Sequence, residues 1–149
     1  MHARESISSV LRVCAQAMGV FRVRIRIESP SNPKVSQEME AVVDTGSSYT
    51  LIPRMVAEAL GIRPVRRMAA VLANGVRILR DMGEAPLSIG DLRTTTWVVF
   101  GDANDAVLLG AITLQELGLE VDPKNETLRP TEIYMLRTEA KTGHGSVPV

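Results

Sequence analysis

The chain has 149 residues, one domain at the usual size of roughly 150 residues, and 17 Lys+Arg balance 17 Asp+Glu, which argues against a bulk electrostatic grip on nucleic acid or acidic membranes. No apolar stretch approaches the roughly 18 residues that span a bilayer, and an aromatic content of 3% speaks against a stacking platform for single strands. A lone Cys14 excludes an intramolecular disulfide and thiolate metal clusters, while His2 and His144, at opposite ends, argue against both a His-based zinc site and a Ser-His-Asp arrangement.

Ile7, Val10, Leu11, Cys14 and Met18 fall at helical spacing, so residues 1–17 read as an extension that is either a short amphipathic helix or a loosely docked, disordered segment. Ala15-Gln16-Ala17 has the look of a signal-peptidase site, but the apolar region before it is short and broken by Arg12. No secretory signal is therefore expected, and a cytoplasmic location is. Met18 is an alternative start, since organised strand pattern begins just after it. Phe21, Val23, Ile25 and Ile27 alternate with Arg22, Arg24, Arg26 and Glu28, which is the period of a strand with one buried and one wet face. Ser29–Pro33 is a turn. A second strand runs from about Gln37 to Val43 and enters Asp44-Thr45-Gly46-Ser47-Ser48.

Tyr49 to Ile52 is short and apolar, Pro53 suits the first turn of a helix carrying Val56 and Leu60, and Gly61 ends it. Met68 to Leu72 and Val76 to Arg80 flank Ala73-Asn74-Gly75, a hairpin signal because Asn and Gly both tolerate positive φ. Strands at about Glu84–Ile89 and Thr94–Phe100 are joined through Gly90-Asp91. Val107-Leu108-Leu109 reads as a strand buried on both faces, and Ala111 to Leu117 as a short helix closed by Gly118. Leu119–Val121 and Thr127–Leu128 form a last hairpin, and residues 137–149 are expected to be a disordered tail. The domain, residues 18–136, is mainly β and barrel-like with one or two short helices. Arg63, Arg66 and Arg67 read as a solvated loop face, with a substrate-charge selector as the alternative, and Trp97 reads as core.

The chemistry concentrates at Asp44-Thr45-Gly46. A carboxylate directly after a buried apolar strand is held rigidly, Thr45 can hydrogen-bond locally or to a partner, and Gly46 lets backbone approach the acid. Ser47 and Ser48 add hydroxyls. The triplet alone is a weak signal, since Asp-x-Gly is common in turns.

The wider pattern is stronger. Apolar-apolar-Asp-Thr-Gly-Ser-Ser, then a hairpin, then apolar-apolar-Gly and a short helix, resembles the retropepsin-like (retroviral-type, clan AA) aspartic proteases over about Val20 to Pro130. The run Leu114 to Pro123 is similar to small microbial single-domain members. The resemblance implies a single-lobed closed β-barrel in which Asp44 is catalytic and Thr45, Gly46 and Ser47 support it. It also implies a substrate-binding flap at Ala73-Asn74-Gly75, and Leu108-Leu109-Gly110 as the second motif. Viral members commonly carry Ala after Asp-Thr-Gly and have glycine-rich flaps; here Ser47 and the single Gly75 stand instead, and two-lobed pepsin-like enzymes also use Ser-Ser.

This chemistry needs one ionised and one protonated carboxyl, yet Asp-Thr-Gly occurs once. Asp81, Asp102, Asp105 and Asp122 read as solvated or turn aspartates, so the second acid is expected from Asp44 of another copy in a C₂ homodimer. The leading expectation is an aspartic endopeptidase acting on peptide or protein substrates, with no cofactor and no metal, nucleic-acid or membrane partner. The alternatives are a catalytically silent peptide-binding or dimerisation module of the same fold, and an unrelated small β-barrel binding domain.

Overall fold

The structure, a computed structural model, describes residues 21–137. The expected N-terminal extension and the expected tail from residue 138 onward lie outside the described residues.

The alternating run becomes strand β1 (Arg22–Glu28), with Ile25 and Ile27 buried and Arg22, Arg24 and Arg26 exposed. Glu28 departs from the wet face: it is covered, because Arg93 Nη2 donates to its Oε2 at 2.7 Å. Strand β2 (Ser36–Val43) pairs antiparallel with the whole length of β1 through Ser36 to Val42. Strand β3 (Thr50–Pro53) leads directly into helix α1 (Arg54–Ala59). Pro53 sits one position earlier than expected, at the N-cap with ψ 142°, an extended conformation that lets one residue end the strand and start the helix.

Strand β4 (Arg66–Val71) is followed by β5 (Arg77–Ile89) and β6 (Leu92–Gly101). The two runs expected at 76–80 and 84–89 are thus a single 13-residue strand. Asp81-Met82-Gly83 continues it because Asp81 is neutralised by two arginines and Met82 is fully buried. Gly83 allows Arg63 to cross closely: a Cβ there would lie 2.5 Å from the Arg63 carbonyl oxygen. Strand β7 (Leu108–Leu109), helix α2 (Ala111–Glu116), β8 (Leu119–Asp122) and β9 (Thr127–Pro130) complete the chain order.

The main sheet runs β1-β2-β7-β3-β6-β5-β4, and β1 also pairs with β5 through Arg26↔Ser88 and Ile27↔Leu87. That contact closes the first six strands into a barrel and leaves β4 outside the ring. The β2–β7 and β3–β6 pairs are parallel, whereas β3 and β7 are antiparallel. Ile27, Ile52, Leu87, Val98, Phe100 and Leu109 fill the interior. Strands β8 and β9 form a separate hairpin whose turn is held by Asp122, which accepts hydrogen bonds from the backbone N–H groups of Lys124 and Asn125. Beyond it Ile133, Tyr134, Met135 and Leu136 are all strongly exposed.

Candidate active site

The site starts where β2 and β7 run side by side. Val42↔Leu108 and Val43↔Leu109 pair in parallel, and the Asp44 N–H donates to the Leu109 carbonyl at 3.1 Å. The chain then turns, with the Ser47 N–H donating to the Asp44 carbonyl at 3.1 Å. The Gly46 N–H donates to Asp44 Oδ1 at 2.9 Å and fixes the carboxylate. Gly46 has no Cβ to intrude; one built there would stand 3.1 Å from the same oxygen.

The second motif is locked against this loop. The N–H groups of Ala111 and Ile112 donate to the carbonyls of Ser47 and Ser48 at 2.8 and 3.0 Å. A Cβ on Gly110 would lie 2.4 Å from the carbonyl carbon of Tyr49, so only glycine lets the two backbones meet. Beneath them is a chain of buried hydroxyls. The Gly110 N–H donates to Thr50 Oγ1 at 3.1 Å, Thr50 and Thr113 are 2.6 Å apart, and Thr113 and Thr96 are 2.8 Å apart. All three threonines are at most 1% exposed. Spacing alone does not reveal this network, because its members come from β3, β6 and α2. Thr45, by contrast, is exposed at the surface beside Asp44.

Over the loop stands the β4–β5 hairpin. Its tip is the expected Ala73-Asn74-Gly75, but of these only Gly75 has positive φ, at 83°. Asn74 contributes differently: its Oδ1 accepts the Val76 N–H at 3.0 Å. Leu72 and Val76 close the three-residue turn, with the Leu72 N–H donating to the Val76 carbonyl at 2.9 Å. Between hairpin and loop lies a cavity of about 340 Å³. Asp44, Gly46 and Ser47 line its floor, Val71, Leu72, Ala73 and Ile78 its roof, and Asp105, Ala106 and Leu108 one side. Of the expected site residues, Asp44, Gly46, Ser47, Ala73 and Leu108 thus line one cleft, and Thr45, Asn74, Gly75, Leu109 and Gly110 are not in its lining.

Two expectations change at the base of the hairpin. Asp81 is neither solvated nor in a turn: Arg54 Nη2 and Arg67 Nε donate to its two oxygens at 2.8 and 3.2 Å. The hydrogen bond from Arg54 holds its carboxyl below the ordinary 3.8; the bond from Arg67 acts in the same sense, and partial loss of water opposes both. Arg66 and Arg67 lie in β4 rather than in a loop, and the Arg66 guanidinium stands 4.7 Å from the centroid of the half-buried Trp97 ring. Asp102 and Asp105 do hold a turn: the Asp102 N–H donates to Asp105 Oδ2 at 2.7 Å. Asp102 also takes a hydrogen bond from Arg80 Nη2 at 3.0 Å. Arg80 lines the cleft and was not singled out from the sequence. Strand parity could have found it, since Ile78 and Arg80 share a face.

Among the described residues no group of His, Cys, Asp and Glu could hold a metal ion, and no helix is long and apolar enough to cross a membrane.

The model of the family described as "gag-polyprotein putative aspartyl protease" matches residues 35–116, which include β2, the Asp44 loop, the hairpin, β7 and α2. Among solved structures, the solution structure of the simian foamy virus (mac) protease is similar, at 18% identity over 65% of this chain and 94% of that one, with a TM-score of 0.48. A comparison with the curated proteins finds no match. With the match covering more than half of its length, this chain belongs to the retroviral-type, retropepsin-like aspartyl protease family.

Proposed function

We propose that the protein is an aspartic endopeptidase whose two acids are Asp44 and its copy in a second subunit. The observation that carries this reading is a single Asp-Thr-Gly carboxylate, clamped by Gly46 at the floor of a cleft under a hairpin. In the dimer, one carboxylate takes a proton from water as that water attacks the scissile carbonyl carbon. The other carboxyl, protonated, donates to the carbonyl oxygen, so the proton count closes on a tetrahedral diol. Two carboxyls side by side share one proton at lower cost than they ionise together.

Three features support the pairing. The other aspartates among the described residues are engaged elsewhere: Asp81 is clamped by arginines, Asp91 lies in the β5–β6 turn, and Asp102, Asp105 and Asp122 hold turns. Thr45 is exposed next to Asp44, where a hydroxyl can reach a partner's backbone. The exposed apolar run Ile133 to Leu136 offers surface that a second copy can cover. The cleft chemistry is that of a peptide site, with apolar walls from Leu51, Val71, Ile78 and Val99 for side chains and strand edges for backbone.

The decisive experiment mixes subunits. Wild-type protein should cleave a peptide library with a bell-shaped pH dependence and lose specific activity on dilution. Excess Asp44→Asn subunits should poison it, because a mixed dimer holds one ionisable acid. Full specific activity in diluted monomers would refute the shared site. A stable dimer that cleaves no peptide at any pH would make the chain a silent binding module of the same fold.

A further inference from the structure

The cleft does not end above Asp44. A second cavity, also of about 340 Å³, shares Gly46, Ser47, Leu51, Ala70, Val71, Arg80 and Val99 with the first. From there it extends past Ser48 and Tyr49 on one side and Met68 and Ala69 on the other. Its lining is apolar or hydroxylic with one exception: among the described residues Arg80 is the only charged one there.

We infer that this second cavity is a substrate subsite for an acidic side chain, with Arg80 as the residue that selects it. The inference rests on the endopeptidase reading for the cleft but not on catalysis itself.

The argument begins with strand parity. On β5, Leu79 points away and is 62% exposed, whereas Ile78 and Arg80 line the cleft. The Arg80 side chain is only 19% exposed, so its charge lies in a partly dehydrated wall, where an unmatched cation is costly. Asp102 meets part of that need through one contact, Arg80 Nη2 to Asp102 Oδ2 at 3.0 Å. A guanidinium carries five N–H donors in a planar fork, and one such contact leaves donors for a second carboxylate. Asp102 is itself 42% exposed, so water weakens its grip on the arginine. Ser47, Ser48 and Tyr49 add hydroxyl donors along the same lining.

The charge balance differs between the two cavities. Over the first, Asp44 and Asp105 join Arg80, so an incoming carboxylate meets two acids and one base. Over the second, Arg80 is the one charged residue lining the cavity among the described residues, with Asp102 bonded to it from outside that lining. A Glu side chain bound there would set its carboxylate against the arginine and its methylenes against an apolar lining that includes Met68 and Val71. A Lys in the same place meets a like charge in a low-dielectric wall and is excluded.

The test uses peptides with Glu, Gln or Lys placed in turn at each of the four positions on either side of the scissile bond. Cleavage by wild-type protein is measured alongside binding to the Asp44→Asn form by fluorescence anisotropy. At one position Glu should be favoured over Gln by roughly tenfold, as expected of a charge-assisted hydrogen bond, with Lys worst. Arg80→Gln should remove that preference at that position only. Asp102→Asn releases the arginine from its internal partner and should enlarge the preference, which guards against a result caused by misfolding of the first variant. If wild type binds peptides but cleaves none, the endopeptidase reading fails while the Glu to Gln ratio still decides this inference. A Glu to Gln ratio of one at every position, or the same ratio in wild type and Arg80→Gln, overturns it.

Discussion

Two regions share the cleft and are built on opposite principles. The floor, from Asp44 to Tyr49 against Leu108 to Ile112, is backbone packed on backbone, with carbonyl contacts that a single methyl group would break. The roof, the β4–β5 hairpin, is nearly bare: Val71, Val76 and Leu79 are 63%, 48% and 62% exposed. It is tied at its base by the Arg54–Asp81–Arg67 cluster and the Arg80–Asp102 pair. On the proposed function, a carboxylate that pairs with a partner's carboxylate needs a position fixed by close packing, whereas a cover over a peptide has to let it in and out. The contrast is drawn within one strand: β5 pairs β4 up to Met82 and β6 from Met82 onward.

The sharpest break between the regions comes at Asp44. Asp44→Asn keeps the shape and the hydrogen bond from Gly46 but cannot ionise. Peptide cleavage should fall at least about a thousandfold while thermal midpoint and dimer fraction hold. Cleavage by purified Asp44→Asn homodimers would end the proposed mechanism.

Gly110→Ala tests the packing of the floor. Its methyl has no space beside Tyr49, so urea unfolding should show a loss of about 3 kcal/mol, together with lost activity. A next step down is Thr113→Val, which strands the buried hydroxyls of Thr50 and Thr96. About 2 kcal/mol should be lost by the same measurement, and Thr113→Ser should recover most of it.

The roof should respond the other way round. Gly75 has positive φ but open space around it, so Gly75→Val meets strain without a clash. Stability should drop by only about 1 kcal/mol, while kcat/KM falls by more than that loss accounts for. Turnover equal to wild type in the folded variant would remove the flap assignment.

The smallest effect concerns pH. Asp81 has its folded value held below 3.8, first by Arg54 and then by Arg67, so the unfolded chain binds its proton more readily. The contribution of this cluster is complete above 3.8 and is lost as pH falls through the lower folded value. Asp81→Asn should flatten that acid limb of the stability curve, and hydrogen exchange in β4 should show the loosening before exchange in β6 does. An unchanged limb would mean that the cluster does not tie the hairpin.

Much of the floor was legible in the sequence because it depends on local rules. A buried apolar lead-in delivers Asp44, Gly46 is the residue that can approach it, and Leu108-Leu109-Gly110 is a doubly buried strand stopped by the residue that a close backbone crossing requires. The hairpin was legible for the same reason, since Gly75 at a turn and alternating flanks are properties of a few adjacent residues. Where the reading erred, the cause lay at long range. Asp81 looked solvated because the arginines that cover it are 27 and 14 positions away. Trp97 looked like core because nothing nearby in sequence announces Arg66 over its ring. The 13-residue β5 looked like two strands because its two halves answer to different partners.

The sequence by itself therefore determined the strand-rich class, the turn that carries Asp44 and Gly46, and the short buried strand that ends at Gly110, since period, turn chemistry and steric need act over a handful of residues. Only the tertiary structure decided that Thr50, Thr96 and Thr113 meet as one hydroxyl chain and that Arg80 is, among the described residues, the one charged residue lining the second cavity. Burial and charge pairing are sums over everything that folds nearby, and closing β1 onto β5 brings together residues that no local pattern connects.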